Sequence, residues 1–406
     1  MVRREIHRYD LSMTDDAPNP ATLDCLRRLI AFDTTSRNSN LELIDWAEAH
    51  LVRHGARVRR SYNTQRTKAN LFASFGEGPG GVVLSGHSDV VPVDGQAWSS
   101  DPFRADIRDG RLYGRGACDM KGFIGVVLAR AEQFARAPLR RPVHVAISYD
   151  EEVGCLGIDP LLQDLALAGI RPDGSIVGEP TSMRMVTAHK GGRVYRCRVH
   201  GRAAHSSLTP SGVNAIEYAA RLIGFIQDIA QREEAQGQRL DGLDVPFSTI
   251  STNMISGGSG SNIVPALCEF LFDYRYVPGV APDTFIDAIR AYAAEQLEPR
   301  MKRVHADAGI TFELKGEILA LDADEREHIA RLTQSLLRDK VSAKVSYGTE
   351  AGFFQRAGVP SIVCGPGSIE QAHRPDEYVP LEQLRQCERF VEGMLARLAA
   401  EPRVSA

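Results

Sequence analysis

Four short apolar segments, each running into a polar loop, are the feature that most constrains the fold of this chain. They read GGVVLSGHSD, PVHVAISYDEEVG, GSIVGEP and PSIVCGPGSIEQAH, and helical patterns lie between several of them. Buried strands that alternate with helices are typical of an α/β fold with a mainly parallel central sheet. Ligands bind at the carboxyl ends of the strands in such sheets. We therefore expect the functional site where these segments end.

A second pattern interrupts the first between residues 187 and 317. This stretch begins with RVYRCRVHGR, which alternates as a half-exposed strand does, and the amphipathic helix GVNAIEYAARLIGFIQDIAQ follows. The complete order, βαββαβ, is that of a ferredoxin-like domain. The sequence thus predicts a catalytic domain in two parts, residues 1–186 and 318–406, and an inserted α+β domain at 187–317.

Composition narrows the class of protein. The chain has 406 residues and a formal net charge of −4, which argues against a nucleic-acid partner, because such proteins usually carry a strongly basic face. Its seven scattered cysteines include no C-x-x-C pair and are typical of reduced thiols. The polar leader before residue 21 lacks the apolar core of a signal peptide, and no apolar run is long enough for a membrane span. We expect a cytoplasmic protein with no membrane partner.

Five residues of metal-binding types follow the predicted strands or a glycine-rich turn. Each alone is ordinary, since a histidine or acid after a strand is usually only hydrogen-bonded or solvated. Two imidazoles and three carboxylates together suit one or two zinc-like divalent ions. The candidate metal ligands are His87, Asp119, Glu152, Glu179 and His373.

Asp119 stands in the segment GRGACDMKGF, directly before an apolar helical run. An aspartate there could simply cap the helix. A cap does not require Gly114, Gly116 and Gly122, which allow sharp turns and a close approach of the backbone. We interpret Asp119 as a bridge between two metal ions, one oxygen to each, as in dinuclear hydrolytic sites. A phosphate loop is disfavoured, because the segment lacks its G-K-[ST] ending and the apolar strand that precedes such a loop.

Two further acids have predicted supporting roles. Asp89 lies two residues after His87 and could accept a hydrogen bond from the imidazole, as carboxylates behind metal-bound histidines often do. Glu151 precedes Glu152, so one acid of the pair can bind metal while the other stays free. A free carboxylate beside a metal site can accept a proton from water and return it to a leaving amine.

The segments SGHSDVVPVDG, GRGACDMKG, YDEEVGCLG, GEPT, GRAAHSS and GPGSIEQAHRPDEYV together resemble the M20 family of metallopeptidases and deacylases. These segments span nearly the whole chain. The resemblance implies a zinc-peptidase-like catalytic domain and an inserted domain that acts as a lid and dimerises. The phrases DGQAWSSDPF, GTEAGFFQRAG and CGPGSIEQAHRPDEYV most resemble the acetylornithine deacetylase branch.

The resemblance also implies residue roles. It implies two Zn²⁺ ions, for which Co²⁺ can substitute, with His87, Asp119 and Glu179 on one. It puts Asp119, Glu152 and His373 on the other ion, and it implies a cis peptide bond between Asp119 and Met120. It further implies Glu151 as base, Asp89 behind His87, His205 as an oxyanion donor reaching the neighbouring subunit, Asn262 and Arg275 as substrate-binding residues, and Glu350 as a partner for a substrate ammonium group.

The implied reaction is removal of the acetyl group from N-acetyl-L-ornithine, which gives L-ornithine and acetate in arginine biosynthesis. Family members also act on other N-acyl amino acids, on succinyl-diaminopimelate or on dipeptides, and the sequence leaves these substrates open. A non-catalytic protein that binds an amino-acid derivative is a further alternative. It would be expected to have lost a ligand or the base, whereas all five ligands and Glu151 are present.

Overall fold

The computed structural model describes residues 17–400. Its strands are β1 Arg57–Tyr62, β2 Ala69–Phe75, β3 Val82–His87, β4 Asp106–Arg108, β5 Arg111–Tyr113, β6 Val143–Ser148, β7 Gly174–Val177, β8 Val186–His189, β9 Gly191–His200, β10 Ala204–His205, β11 Thr249–Gly257, β12 Ile263–Val264, β13 Leu267–Tyr276, β14 Gly309–Ile318, β15 Leu321–Asp322, β16 Ala343–Val345, β17 Ser361–Val363 and β18 Tyr378–Pro380.

The α-helices of the same range are α1 Pro20–Ile30, α2 Leu41–Arg53, α3 Lys121–Ala129, α4 Ala131–Arg136, α5 Ile158–Leu167, α6 Ala215–Gln236, α7 Thr284–Tyr292, α8 Glu298–Lys302, α9 His328–Leu336, α10 Ala351–Arg356 and α11 Leu381–Ala400. Short 3₁₀ helices lie at Ser206–Ser211 and Ile369–Gln371, and a π-helical turn lies at Ala293–Leu297. None of the helices in residues 17–400 is both long and apolar enough to span a membrane. The predicted leader lies mostly outside the described residues.

The large sheet has nine strands in the order β1-β2-β6-β3-β7-β17-β8-β15, with β16 also paired to β8. Its central strands β6, β3, β7 and β17 run parallel, as the sequence predicts, whereas β1, β2 and β15 pair antiparallel with their neighbours. The four central strands are buried along their whole length. This burial is expected because helices cover both faces of the sheet.

A second, smaller sheet is formed by the stretch predicted as an insertion. Its four antiparallel strands have the order β11-β13-β9-β14, and in sequence the elements run β9-α6-β11-β13-α7-β14, which is the predicted βαββαβ order. Side chains of β13 alternate between buried and more exposed, since one face packs on α6 and α7. The chain changes sheet between His189 and Gly191 and again between Ile318 and Leu321. The exact domain limits at 187 and 317 stay a prediction.

The main core lies between the large sheet and helices α1, α2, α3 and α11. Helix α3 is buried over Lys121–Leu128, and it packs closely on α1 because Gly125 leaves room for the backbone of Leu26. A Cβ atom at Gly125 would lie 3.2 Å from that of Leu26. Because α3 begins two residues after Asp119, this packing fixes the position of that acid relative to the sheet.

A buried ion pair joins the chain's last helix to α1 and α3. Arg130 Nη2 lies 3.0 Å from Glu388 Oε1, and the two side chains are 1% and 0% exposed. The contact is ionic rather than a well-aligned hydrogen bond. Glu388 also accepts hydrogen bonds from the Thr22 hydroxyl at 2.5 Å and from the Asn19 amide at 2.8 Å. The pair therefore ties three helices together.

We expect Glu388→Ala to lower the free energy of unfolding by about 3–5 kcal/mol, because it leaves the buried Arg130 with only the partly exposed Glu392 as counter-charge and removes the acceptor of Thr22 and Asn19. Glu392→Ala is the matched control, since Glu392 also lies 3.0 Å from Arg130 but is 37% exposed. Its loss should cost less than about 1 kcal/mol. Urea unfolding of the three proteins measures the difference, and equal effects of the two changes would contradict the role given to burial.

Candidate metal centre

Three neighbouring strands bring the predicted ligands together. His87 is the last residue of β3, Glu151 and Glu152 follow β6, and Glu179 follows β7. The strands β6, β3 and β7 are adjacent and parallel, so their carboxyl ends meet at one edge of the sheet. His373 reaches the same edge from the loop after β17. The sequence prediction that the site lies at the strand ends agrees with this geometry.

Asp119 enters the cluster from the turn before α3. The peptide bond between Asp119 and Met120 is cis, as the resemblance implies. Helix α3 has Met120 at its N-cap position with no capping side chain, so Asp119 is not a helix cap and its carboxylate points to the site. Gly116 has a φ of +80°, and a Cβ at Gly122 would lie 2.5 Å from the Ala117 carbonyl oxygen. The glycines thus permit the turn and the close approach expected of them.

The two oxygens of Asp119 face different histidines. Oδ1 lies 3.0 Å from His87 Nε2, and Oδ2 lies 3.4 Å from His373 Nε2. His87 Nε2 is also 3.6 Å from Glu179 Oε1, whereas His373 Nε2 is 3.0 Å from Glu152 Oε2. The contacts therefore divide into two groups that share one carboxylate, which is the arrangement a bridging ligand requires.

The donor set fits divalent cations of the zinc type. Imidazole nitrogens and carboxylate oxygens are the ligands these ions take, and ligand atoms of two three-residue groups lie within 4.8 Å of one another. One group is His87, Asp119 and Glu152, and the other is His87, Glu151 and Glu179. His87 belongs to both groups, so the 4.8 Å grouping alone does not divide the ligands between two ions. The shorter pairwise distances around Asp119 support that division. The second group also shows that Glu151 lies close enough to His87 and Glu179 to contact an ion held there.

Asp89 supports the acidic pair as well as His87. The His87 Nδ1–H group donates to the main-chain oxygen of Asp89 at 2.9 Å, and its distance to the Asp89 carboxylate is 3.5 Å. That carboxylate accepts hydrogen bonds from the amides of Glu151 at 3.0 Å and Glu152 at 3.3 Å, and from the Ser36 hydroxyl at 2.7 Å. The predicted support of His87 is thus mainly through the backbone, and the carboxylate of Asp89 orients the loop that carries both glutamates.

Burial and crowding of like charges perturb the carboxyl groups of the cluster. Burial, with the nearby charge of Asp119, raises the pKa of Glu152 to about 7. Burial also raises the pKa of Glu151 well above its ordinary value, and Glu152 and Asp119 add to this effect while His87 opposes it. Burial alone would raise the pKa of Asp119, but hydrogen bonds from His373 and His87 outweigh it and lower that pKa. The cluster can therefore be fully ionised only beside added positive charge.

A cavity of about 410 Å³ opens between this cluster and the inserted unit. Asp119, Glu151, Glu152, Glu179 and His373 line the cavity on the side of the large sheet. The inserted unit contributes the residues Gly192, Val194, Arg275, Lys315, Gly316 and Glu317. The two walls meet where a Cβ at Gly154 would lie 2.6 Å from the Gly316 Cα atom. A small molecule in this cavity contacts both parts of the fold.

Of the residues expected to bind substrate, Arg275 alone lines the cavity. His205 and Asn262 lie together at the exposed β10–β12 pair, where the Ser206 amide donates to the Asn262 carbonyl at 2.9 Å, and neither lines the cavity of its own chain. Glu350 does not line the cavity either. It is 1% exposed at the start of α10, where burial raises its pKa to about 7. The expected contact of Glu350 with a substrate ammonium group stays a prediction.

Sequence reasoning missed several residues around the centre. Lys315 and Glu317 were not predicted, since nothing in β14 marks the side chains that face another unit. Arg115 and Glu377 were also missed, although both lie inside the segments GRGACDMKG and RPDEYV. They form a buried ion pair at 2.6 Å beside Asp119. The available signal was the position of each residue, since Arg115 stands four residues before Asp119 and Glu377 stands four residues after His373.

The chain is similar over most of its length to proteins of known class. Residues 83–397 match the family described as Peptidase family M20/M25/M40. An acetylornithine deacetylase of Pasteurella multocida (strain Pm70) is 34% identical over 370 residues, which are 89% of this chain and 94% of that protein. An acetylornithine deacetylase of Myxococcus xanthus is 34% identical over 397 residues, 94% of this chain and 97% of that protein.

Solved structures give the same fold at lower sequence identity. A tripeptidase from Staphylococcus aureus subsp. aureus Mu50 superposes with a TM-score of 0.73 at 18% identity, covering 95% of this chain and 100% of that one. This likeness concerns the fold, whereas the sequence matches and the strand-end cluster concern the family. The family match over residues 83–397 and the 34% identity to the two relatives over most of their length establish that this chain belongs to peptidase family M20/M25/M40.

Proposed function

We propose that this protein hydrolyses N-acetyl-L-ornithine to L-ornithine and acetate. The observation that carries the proposal is the Asp119 carboxylate held between His87 and His373, beside Glu151, at the bottom of a cavity. Such a centre is suited to amide hydrolysis. The choice of substrate is supported by the two relatives named as acetylornithine deacetylases, each matched over nearly its full length.

 Two divalent ions per chain are part of the proposal, namely Zn²⁺, for which Co²⁺ can substitute. One ion would be held by His87, Asp119 and Glu179, and the other ion by Asp119, Glu152 and His373. Bound there, the ions would polarise the amide carbonyl and lower the pKa of water. The pairwise distances around Asp119 support this division, and the chemistry of the ligands supports the type of ion.

The protein's own groups would bind the substrate and move the proton. The guanidinium of Arg275 lies on the cavity wall opposite the cluster, where it can hold an α-carboxylate through two hydrogen bonds. Glu151 would accept a proton from the attacking water and then donate it to the leaving amine. A carboxyl group whose pKa is raised by burial suits a residue that must both accept and donate near neutral pH. The Asp89 carboxylate would hold Glu151 in place by accepting a hydrogen bond from the main-chain amide of Glu151.

We also propose a homodimer formed through the inserted unit. Strand β11 is at the edge of its sheet, and two of its apolar side chains, Met254 and Ile255, are 65% and 58% exposed. Ile216 and Ile263 of the same unit are exposed as well. Exposed apolar side chains on an unpaired edge strand are typical of a protein interface. In such a dimer, the exposed His205 could reach the partner's cavity and donate to the oxyanion.

A cytoplasmic location completes the proposal. All seven cysteines are free and buried, which is consistent with a reducing compartment. The main competing function is hydrolysis of another N-acyl amino acid or of a dipeptide by the same centre. Initial rates on N-acetyl-L-ornithine, succinyl-diaminopimelate, N-acetyl-L-methionine and a dipeptide separate these functions. A higher kcat/KM for any of the other three substrates would overturn the choice of N-acetyl-L-ornithine.

We expect Asp119→Ala to lose both ions, or to keep one only weakly, because one carboxylate serves both groups of ligands. Elemental analysis after dialysis measures this. Asp164→Ala is the control, since Asp164 forms only a surface ion pair with Arg59, and it should keep the metal content of the unaltered protein. Two tightly held ions in Asp119→Ala would contradict the bridge.

Glu151→Gln should keep the fold and both ions but lose several orders of magnitude in kcat, because the amide cannot accept the proton. Glu152→Gln is the matched control and should lose metal together with activity, because Glu152 contacts His373. Metal content and kcat are measured on the same samples. If the metal content of Glu151→Gln falls as steeply as its activity, Glu151 is a ligand, a role that its distance to His87 and Glu179 also allows.

His205→Ala should lower kcat by about 10²–10³-fold, the usual effect of losing an oxyanion donor, and should leave metal content and dimerisation unchanged. His200→Ala is the control, because His200 is an exposed histidine at the end of β9 in the same unit. Mixing His205→Ala with Glu151→Gln under conditions that exchange subunits tests the direction of action. If His205 acts in the partner's site, one site of each mixed dimer has both intact residues and activity returns; no recovery would show that each site uses its own His205.

A further inference from the structure

A buried network of hydrogen bonds surrounds Arg115, next to the metal centre. Arg115 is 1% exposed, and its Nη1 group donates to Glu377 Oε2 at 2.6 Å and to the Arg374 carbonyl at 3.4 Å. Its Nη2 group donates to Gln96 Oε1 at 2.6 Å. Trp98 Nε1–H donates to the same Gln96 oxygen at 3.1 Å. The guanidinium thus fixes side chains from two separate loops.

The far ends of this network reach two of the candidate ligands. Glu377 Oε1 accepts hydrogen bonds from the amides of Cys118 at 2.8 Å and Asp119 at 3.0 Å. On the other side, Gln96 Nε2 donates to the main-chain carbonyl of His373 at 3.0 Å. The backbone of the bridging acid and that of the second histidine are therefore held by one buried cation.

The two histidines of the centre differ in how they are supported. His87 ends a buried strand, is 1% exposed, and has its second ring nitrogen bonded to the Asp89 carbonyl. His373 lies in a loop, its side chain is 52% exposed, and its φ is +64°. A non-glycine residue in that backbone region is held there by its surroundings. The bond from Gln96 is a contact that can do so.

We propose that Gln96 is a positioning residue for the ion on the His373 side, with Arg115 and Glu377 as its anchor. This inference rests on the proposed two-ion centre. Gln96 orients the main chain of His373, so that the imidazole meets Asp119 and Glu152. The effect of Gln96 is therefore specific to one ion, because its bond to the ligand backbone is to His373 and not to His87, at the end of β3, or to Glu179, after β7. Residues that orient metal ligands typically contribute 10–100-fold to metal affinity.

Gln96→Met tests this role, because methionine keeps the volume of glutamine but cannot donate to the His373 carbonyl. The Zn²⁺-loaded protein is equilibrated with increasing concentrations of a chelator, and the retained zinc is measured. We expect one ion to be released at a roughly 10–100-fold lower chelator concentration than in the unaltered protein, and the other ion to be retained as in the unaltered protein. Gln355→Met is the matched control. The side chain of Gln355 is also partly buried, and it makes two hydrogen bonds to the main chain of Asp322.

A double variant identifies the affected ion. In His373→Ala the second ion is already lost or weakened, so adding Gln96→Met should not change the affinity for the remaining ion. Unchanged affinity for both ions in Gln96→Met would overturn the inference, and so would equal weakening of both ions. If the unaltered protein binds a single ion, the two-ion proposal fails. The inference about Gln96 then depends on that ion, and it is overturned if Gln96→Met leaves the affinity for the ion unchanged.

Discussion

Repulsion among buried carboxylates is the constraint on which the rest of this structure depends. Asp119, Glu151, Glu152 and Glu179 converge at one edge of the sheet, and the two imidazoles among them are too few to balance four negative charges. Such a cluster costs free energy unless cations and fixed hydrogen-bond donors compensate it. The same concentration of oxygen and nitrogen donors is what gives the edge its capacity to hold divalent ions.

The fold meets this constraint by holding the backbone of the ligands. Two buried acids that lie outside the two ligand groups make the same kind of contact with the ligand backbone. Asp89 accepts the amides of Glu151 and Glu152, and Glu377 accepts the amides of Cys118 and Asp119. Because these bonds are to main-chain groups, they fix the ligand positions and leave the ligand side chains free to bind ions. This division explains why so much buried charge lies around the centre.

The sequence predicts the cluster well because strand ends are visible in it. The runs that end at His87, Glu152 and Glu179 are apolar and short, and a parallel sheet places their carboxyl ends at one edge. The order β6-β3-β7, which makes the three strands neighbours, was not predictable from these patterns. The position of Glu350 was not predictable in the same way, because burial of a side chain at the start of α10 depends on packing between distant segments. The bond from Gln96 to His373 spans 277 positions, and no local pattern marks it.

The charges on the two cavity walls determine how a substrate can lie between them. The wall formed by the cluster consists of metal-binding side chains, whereas the inserted unit contributes the cations Arg275 and Lys315 and the acid Glu317. Each of the three has a partner in its own unit: Asp273 lies 3.2 Å from Arg275, Glu313 lies 3.0 Å from Lys315 and Arg193 lies 2.6 Å from Glu317. An N-acyl amino acid has a neutral amide at one end and a carboxylate at the other. Its carboxylate is attracted to the cations of the inserted wall, so the amide is directed toward the ligands. Orientation of the substrate therefore depends on both units of the fold, and a change in the inserted wall can alter the choice of substrate without altering the metal centre.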